Sequence, residues 1–127
     1  KSIKKLILKN ISNLKKLEKI FHPLVRKKMK NFISKNKGKK ILFFEIPLLI
    51  ESKLMKSFSV IIFIKSKKNL RLKRFEASGG DKKLFNLLNK KQMSDQKKIK
   101  FCDHVVVNEK NLNILKTKLS SIMHKYE

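Results

Sequence analysis

The sequence predicts an α/β fold, a parallel sheet flanked by helices and carrying a helical lid. Two observations predict it. Three short apolar runs, at 41–46, 60–64 and 104–107, are separated by segments of helical periodicity. Strands that alternate with helices pair in parallel and need cover on both faces. Three strands make a narrow sheet, and the chain opens on Lys rather than Met. Both features predict a partner strand supplied from upstream.

The chain has 127 residues, 41% of them hydrophobic. That suits one domain, 1–127, with a modest core. The one cysteine, Cys102, excludes an internal disulfide and fits a reducing cytoplasm. No apolar run approaches the ~20 residues that span a bilayer. The most apolar stretch, ILFFEIPLLI, is interrupted by Glu45 and Pro47. Neither a membrane segment nor a signal peptide is expected.

The net charge is +25. A charge of this size invites a nucleic-acid reading. Against it, only Arg26, Arg71 and Arg74 among the 34 basic residues are arginine, and the lysines run along the whole chain. Nucleic-acid readers lean on the bidentate guanidinium. Ala occurs once, at Ala77, while Ile, Asn and Phe abound. This composition fits AT-rich coding better than a dedicated surface, so no specific nucleic-acid partner is expected. A basic nucleic-acid-binding module is the alternative.

Element by element, Ile3, Leu6, Ile7, Ile11, Leu14 and Leu17 fall near helical spacing, with a break at Asn10 or Ser12. Pro23 suits the first turn of a further helix over about 23–36. Gly38 is placed to end that helix. Ile41–Ile46 reads as a buried strand closed by Pro47, and Leu48–Lys56 as a short helix or turn. After the strand Val60–Ile64, Ser66 is placed to cap a helix running to about residue 76. Gly79-Gly80-Asp81 is a turn, and 82–100 is one helix with Leu84, Phe85, Leu87 and Leu88 inward. A short strand, His104–Val107, precedes a closing helix from Asn111 to Met123. Its apolar face is Leu112, Leu115, Leu119 and Ile122.

Four groups of residues carry the functional reading. They are LEKIFHPLV (Leu17–Val25), EIPLLIE (Glu45–Glu51), Arg74 with the glycine-bearing hairpin that ends at Gln92, and the run from Lys98 through Cys102-Asp103 to Asn108. In this order and spacing they resemble the dephospho-CoA kinase family. The resemblance covers nearly the whole chain. It implies a P-loop kinase fold, with 74–98 as the lid. It also implies transfer of the γ-phosphoryl group of ATP, with Mg²⁺, to the ribose 3′-hydroxyl of dephospho-CoA.

The resemblance gives Arg74 the catalytic part, gripping the transferring phosphates. The family's second lid arginine falls at Ser78, and Arg71, Lys82 or Lys83 takes its place. Arg71, Lys98 and Asn108 are then assigned to the nucleotide. His22, Pro47, Leu48 and Glu51 are assigned to the acceptor substrate. Glu45, at a strand end, reaches Mg²⁺ through water or is a buried acid paired with a lysine. Lys98 also reads as a solvated lysine, and Glu51 as a residue that fixes its own loop.

Phosphoryl transfer needs backbone N–H groups and a lysine around the phosphates. The chain has no GxxxxGK[ST], since Gly79-Gly80 runs into Asp81-Lys82-Lys83. The family's phosphate-binding strand, loop and base are expected to be absent, and the chain as given to be inactive. Another small P-loop nucleotide kinase is the remaining enzyme alternative.

Overall fold

The computed structural model describes residues 5, 7, 9, 10 and 12–127. The expected apolar positions Ile3, Leu6 and Ile11, and the side chain of Leu14, lie outside the described residues. Two compact units divide the chain between Phe44 and Glu45.

The first unit is dominated by helix α1, Ser12–Lys35. Ser12 is its first residue. The Ser12 backbone N–H donates to the Asn10 side chain at 2.9 Å. Pro23 lies inside α1 and opens no new helix. A proline there withholds one ladder hydrogen bond, yet helical periodicity on both sides carries the helix through. Gly38 does not take the left-handed conformation. The helix end is closed instead by Asn36, whose side chain donates to the Phe32 carbonyl at 2.8 Å. Phe32 meets Phe44 edge to face, with ring centroids 5.5 Å apart.

The second unit is built on two parallel strands, β1 (Ile62–Lys65) and β2 (His104–Val107), paired with Ile62 opposite His104. The expected strand 41–46 forms no ladder. Apolar residues alone do not make a strand, because the backbone groups also need a paired neighbour. The carbonyls of Ile61 and Lys65 accept from β2 and its flanks. Alternation along the strand turns the backbone groups of Ile62 and Ile64 to the opposite edge. Among the described residues no third strand takes that edge. Asp103 strengthens the entry to the pair, with its carboxylate accepting from the Ile61 N–H at 2.7 Å.

Helices surround the pair. α2 (Lys68–Ala77) follows β1, and its N-cap is Lys67 rather than Ser66. α3 (Lys82–Lys91) is capped by Asp81, whose side chain accepts from the Leu84 N–H at 2.8 Å. The single helix expected over 82–100 is broken at 92–94, and α4 is only Asp95–Ile99. Gln92 turns extended at ψ 139°, ending the first piece. The closing helix α5 (Leu112–Met123) is capped by Asn111 and packs on β2. Leu115, Leu119 and Ile122 are partly covered, whereas Leu112 is exposed, at the helix start. The core is small, with Ile50, Phe85 and Val106 its buried apolar members among the described residues.

The loop after Pro47 has two strained positions. Leu48 and Lys53 adopt φ of 60° and 58° without being glycine, at a cost of roughly 1–2 kcal/mol each. The α2–α3 turn uses glycine where it needs to. Gly79 has φ of 87°, and a Cβ on Gly80 would fall inside the Phe75 ring. Gly80→Ala is expected to destabilise the chain by about 1–3 kcal/mol through overpacking. Gly38→Ala, which meets nothing, should be close to neutral. Urea unfolding midpoints of the two variants decide this.

Candidate functional site

In parallel sheets, ligands gather at the carboxyl ends of the strands, where helices begin and backbone groups lie open. Here those ends are Lys65-Ser66 and Val107-Asn108. They meet on one atom, the Asn108 carbonyl oxygen. The buried Ser66 hydroxyl donates to it at 3.0 Å, and so does Arg74 Nη1 at 3.0 Å. Arg71 Nε donates to the Ser66 carbonyl at 3.2 Å. Its guanidinium lies 6.0 Å from the centroid of the buried Phe85 ring on α3.

The spacing of Arg71 and Arg74 explains the convergence. Residues three apart on a helix share a face, and α2 turns that face to the strand ends. Each guanidinium is held by one backbone carbonyl. An arginine carries five N–H donors in a fixed fork, so donors remain for an anion. Pre-positioned guanidinium groups are what stabilisation of transferring phosphate charge requires. Lys67, at the α2 N-cap, pairs with Glu109 at 3.2 Å across the same strand ends.

Three residues expected at a site are therefore assembled here: Arg71, Arg74 and Asn108. Ser66 was missed in this part. Its place just after the apolar run was visible, but its hydroxyl serves the second strand rather than capping its own helix.

The other expected site residues lie elsewhere. Glu51 and Lys98 find each other, with Nζ 3.3 Å from Oε1. Lys98 is only 8% exposed, so it is not a solvated lysine. Pro47 is exposed and Leu48 half-buried in the strained loop. Glu45 is exposed, so the alternative of a buried acid fails. It belongs to no group of three or more potential metal ligands among the described residues. His22 stands exposed on α1, in the first unit. Of the lysines offered in place of an arginine at Ser78, Lys82 and Lys83 are both exposed at the start of α3. No helix among the described residues is long and apolar enough to cross a membrane.

An α/β unit with paired arginines at its strand ends fits a phosphate-handling protein, and the comparisons give the particular family. The family model for dephospho-CoA kinase matches residues 1–113. A dephospho-CoA kinase of Bartonella quintana is 33% identical over 124 residues, covering 95% of this chain and 64% of its own length. One of Fusobacterium nucleatum is 32% identical, covering 91% and 60%. One of Rickettsia bellii is 27% identical, covering 98% and 66%. The chain belongs to the dephospho-CoA kinase family. It spans less than two thirds of the length of these relatives.

Two outcomes follow from the geometry. Ser66→Ala should cost about 1 kcal/mol, one net hydrogen bond. The loss should be larger in an Arg74→Ala background, where the Asn108 carbonyl is left with neither donor. A double-mutant cycle in urea reads this coupling. Cys102 offers a second outcome. Burial pushes its thiol up, the Asp103 charge adds to this, and Lys98 opposes it. The thiolate is the reacting form. At pH 8 Cys102 should therefore alkylate more slowly than an unperturbed thiol of pKa about 8.5, and urea should abolish the difference.

Proposed function

We propose that these residues are the nucleotide-lid and acceptor-loop portion of a dephospho-CoA kinase, which transfers the γ-phosphoryl group of ATP to the ribose 3′-hydroxyl of dephospho-CoA. The observation that carries this reading is the convergence of Arg71, Arg74 and Asn108 at the strand ends in a member of that family.

In this reading Arg74 grips the phosphate charge that builds during transfer. Arg71 supports it from the next turn of α2, in place of an arginine at Ser78. Asn108 presents backbone to the adenine side, its carbonyl fixing the arginine. Pro47 and Leu48 shape the acceptor loop, and His22 is assigned to the acceptor from α1. Mg²⁺ would arrive with ATP, held mainly by phosphate oxygens and water. Glu45 is the side chain assigned toward it, and no step is routed through that ion. The reaction runs in the cytoplasm, where ATP is available.

The phosphate-binding GxxxxGK[ST] is not among these residues, so the 127-residue chain alone should make no coenzyme A from ATP and dephospho-CoA. Turnover near the ~1–100 s⁻¹ typical of kinases would overturn that. Nucleotide recognition is tested on the same chain by titration with a fluorescent ATP analogue. Arg74→Ala should weaken binding about tenfold to a hundredfold, the loss of charge-assisted hydrogen bonds. Arg74→Lys should recover part, because an ammonium lacks the planar fork. Lys73→Ala, exposed on the neighbouring position, should be silent. Equal behaviour of Arg74→Ala and Lys73→Ala would remove Arg74 from the site.

A further inference from the structure

Three side chains from two separate stretches of sequence meet in one cluster: Glu51, Gln92 and Lys98. Glu51 Oε1 accepts from the Met93 N–H at 2.8 Å and pairs with Lys98 Nζ at 3.3 Å. Lys98 Nζ also donates to Gln92 Oε1 at 3.0 Å. The same ammonium lies 5.5 Å from the centroid of the Phe63 ring on β1. An ammonium has three donors. With two of them used and an aromatic face beside it, Lys98 has little left for a phosphate.

The two ends of this cluster differ in kind. Glu51 sits between the strained residues Leu48 and Lys53, in a loop closed by its own backbone bonds. These run from Ser52 N–H to the Leu48 carbonyl at 2.9 Å and from Leu54 N–H to the Leu49 carbonyl at 3.2 Å. Gln92 and Met93 lie in the break between α3 and α4, and Lys98 lies on α4. A strained conformation persists only where its surroundings over-determine it. A buried charge pair resists parting, because each partner would be left uncompensated.

We infer that Glu51, Gln92 and Lys98 form a latch, positioning residues that tie the loop 48–53 to the segment 92–98. They are not ligands of the acceptor or the nucleotide. The latch sets the hinge of the lid, a clause that rests on the proposed function. The moving part ends at the α3–α4 break, at about Gln92, and 92–98 stays with the acceptor loop. Loop and lid return therefore loosen together or not at all.

The test is residue-resolved hydrogen exchange on the full 127-residue chain, with Phe63 and Val106 amides as reporters of an intact sheet. The Met93 amide, outside any helix, should be protected, and Glu51→Ala should speed its exchange at least tenfold. Lys98→Met should speed the Ser52 and Leu54 amides, although these lie in a distant segment of sequence. Glu51→Gln with Lys98→Met, an uncharged pair of similar shape, should recover much of that protection. Lys98→Arg should recover it too. If Lys98→Met leaves Ser52 and Leu54 unchanged while the sheet reporters hold, the latch is wrong. If Glu51→Ala unfolds the sheet, the Lys98→Met and paired variants still decide. A second arm separates the latch from the nucleotide site. Lys98→Met should keep affinity for the ATP analogue within about twofold, and a loss equal to that of Arg74→Ala would overturn the latch. Failure of the unsubstituted chain to bind ATP would count against the functional reading and leave the exchange arm standing.

Discussion

The parallel pairing of β1 with β2 is the constraint on which the rest of the second unit depends. It brings Ser66 and Asn108, far apart in sequence, within one hydrogen bond. Once the strand ends are side by side, α2 must leave from one and the approach to α5 from the other. Arg71 and Arg74 are then carried over the gap by the turn of α2 alone. Their reach is fixed by backbone carbonyls, which no side-chain rearrangement removes. Asp103 protects the pairing at its other end by adding a side-chain bond to Ile61 where the ladder begins.

Much of this was legible in the sequence, and the reasons differ by element. His104–Val107 was clear because β-branched residues crowd a short run between turn residues. Arg74 and Asn108 were singled out by the resemblance to the family, and the fold places them together. The strand expected at 41–46 was not legible as unpaired, since composition reports apolarity and not the presence of a neighbour. Pro23 misled because a proline suits a helix start, yet the periodicity of the flanking residues ran through it. The pairing of Lys98 with Glu51 was hidden for a different reason. In a chain with lysine at every turn, nothing in the periodicity tells which lysine is buried against which acid.

The loop 48–53 and the arginine pair represent two ways of holding side chains in place. The arginines are positioned by a helix on strand ends, a rigid support at little conformational cost. The loop is positioned by turns that include two unfavourable backbone angles, and it is secured by one largely buried ion pair. Rigid supports suit groups that must meet developing charge within a fraction of an ångström.

The exposed apolar surface has a colloidal consequence. Ile64, Val105 and Val107 are exposed on the strands, beside the β1 edge whose backbone groups find no strand among the described residues. Bare sheet edges are templates for pairing between copies. The lysines, which first read as a by-product of coding, oppose this, because two molecules that each carry +25 repel before their edges can meet. That repulsion reaches about 10 Å in 0.1 M salt and about 3 Å in 1 M. Ionic strength therefore sets how close two copies of this chain come before the repulsion acts.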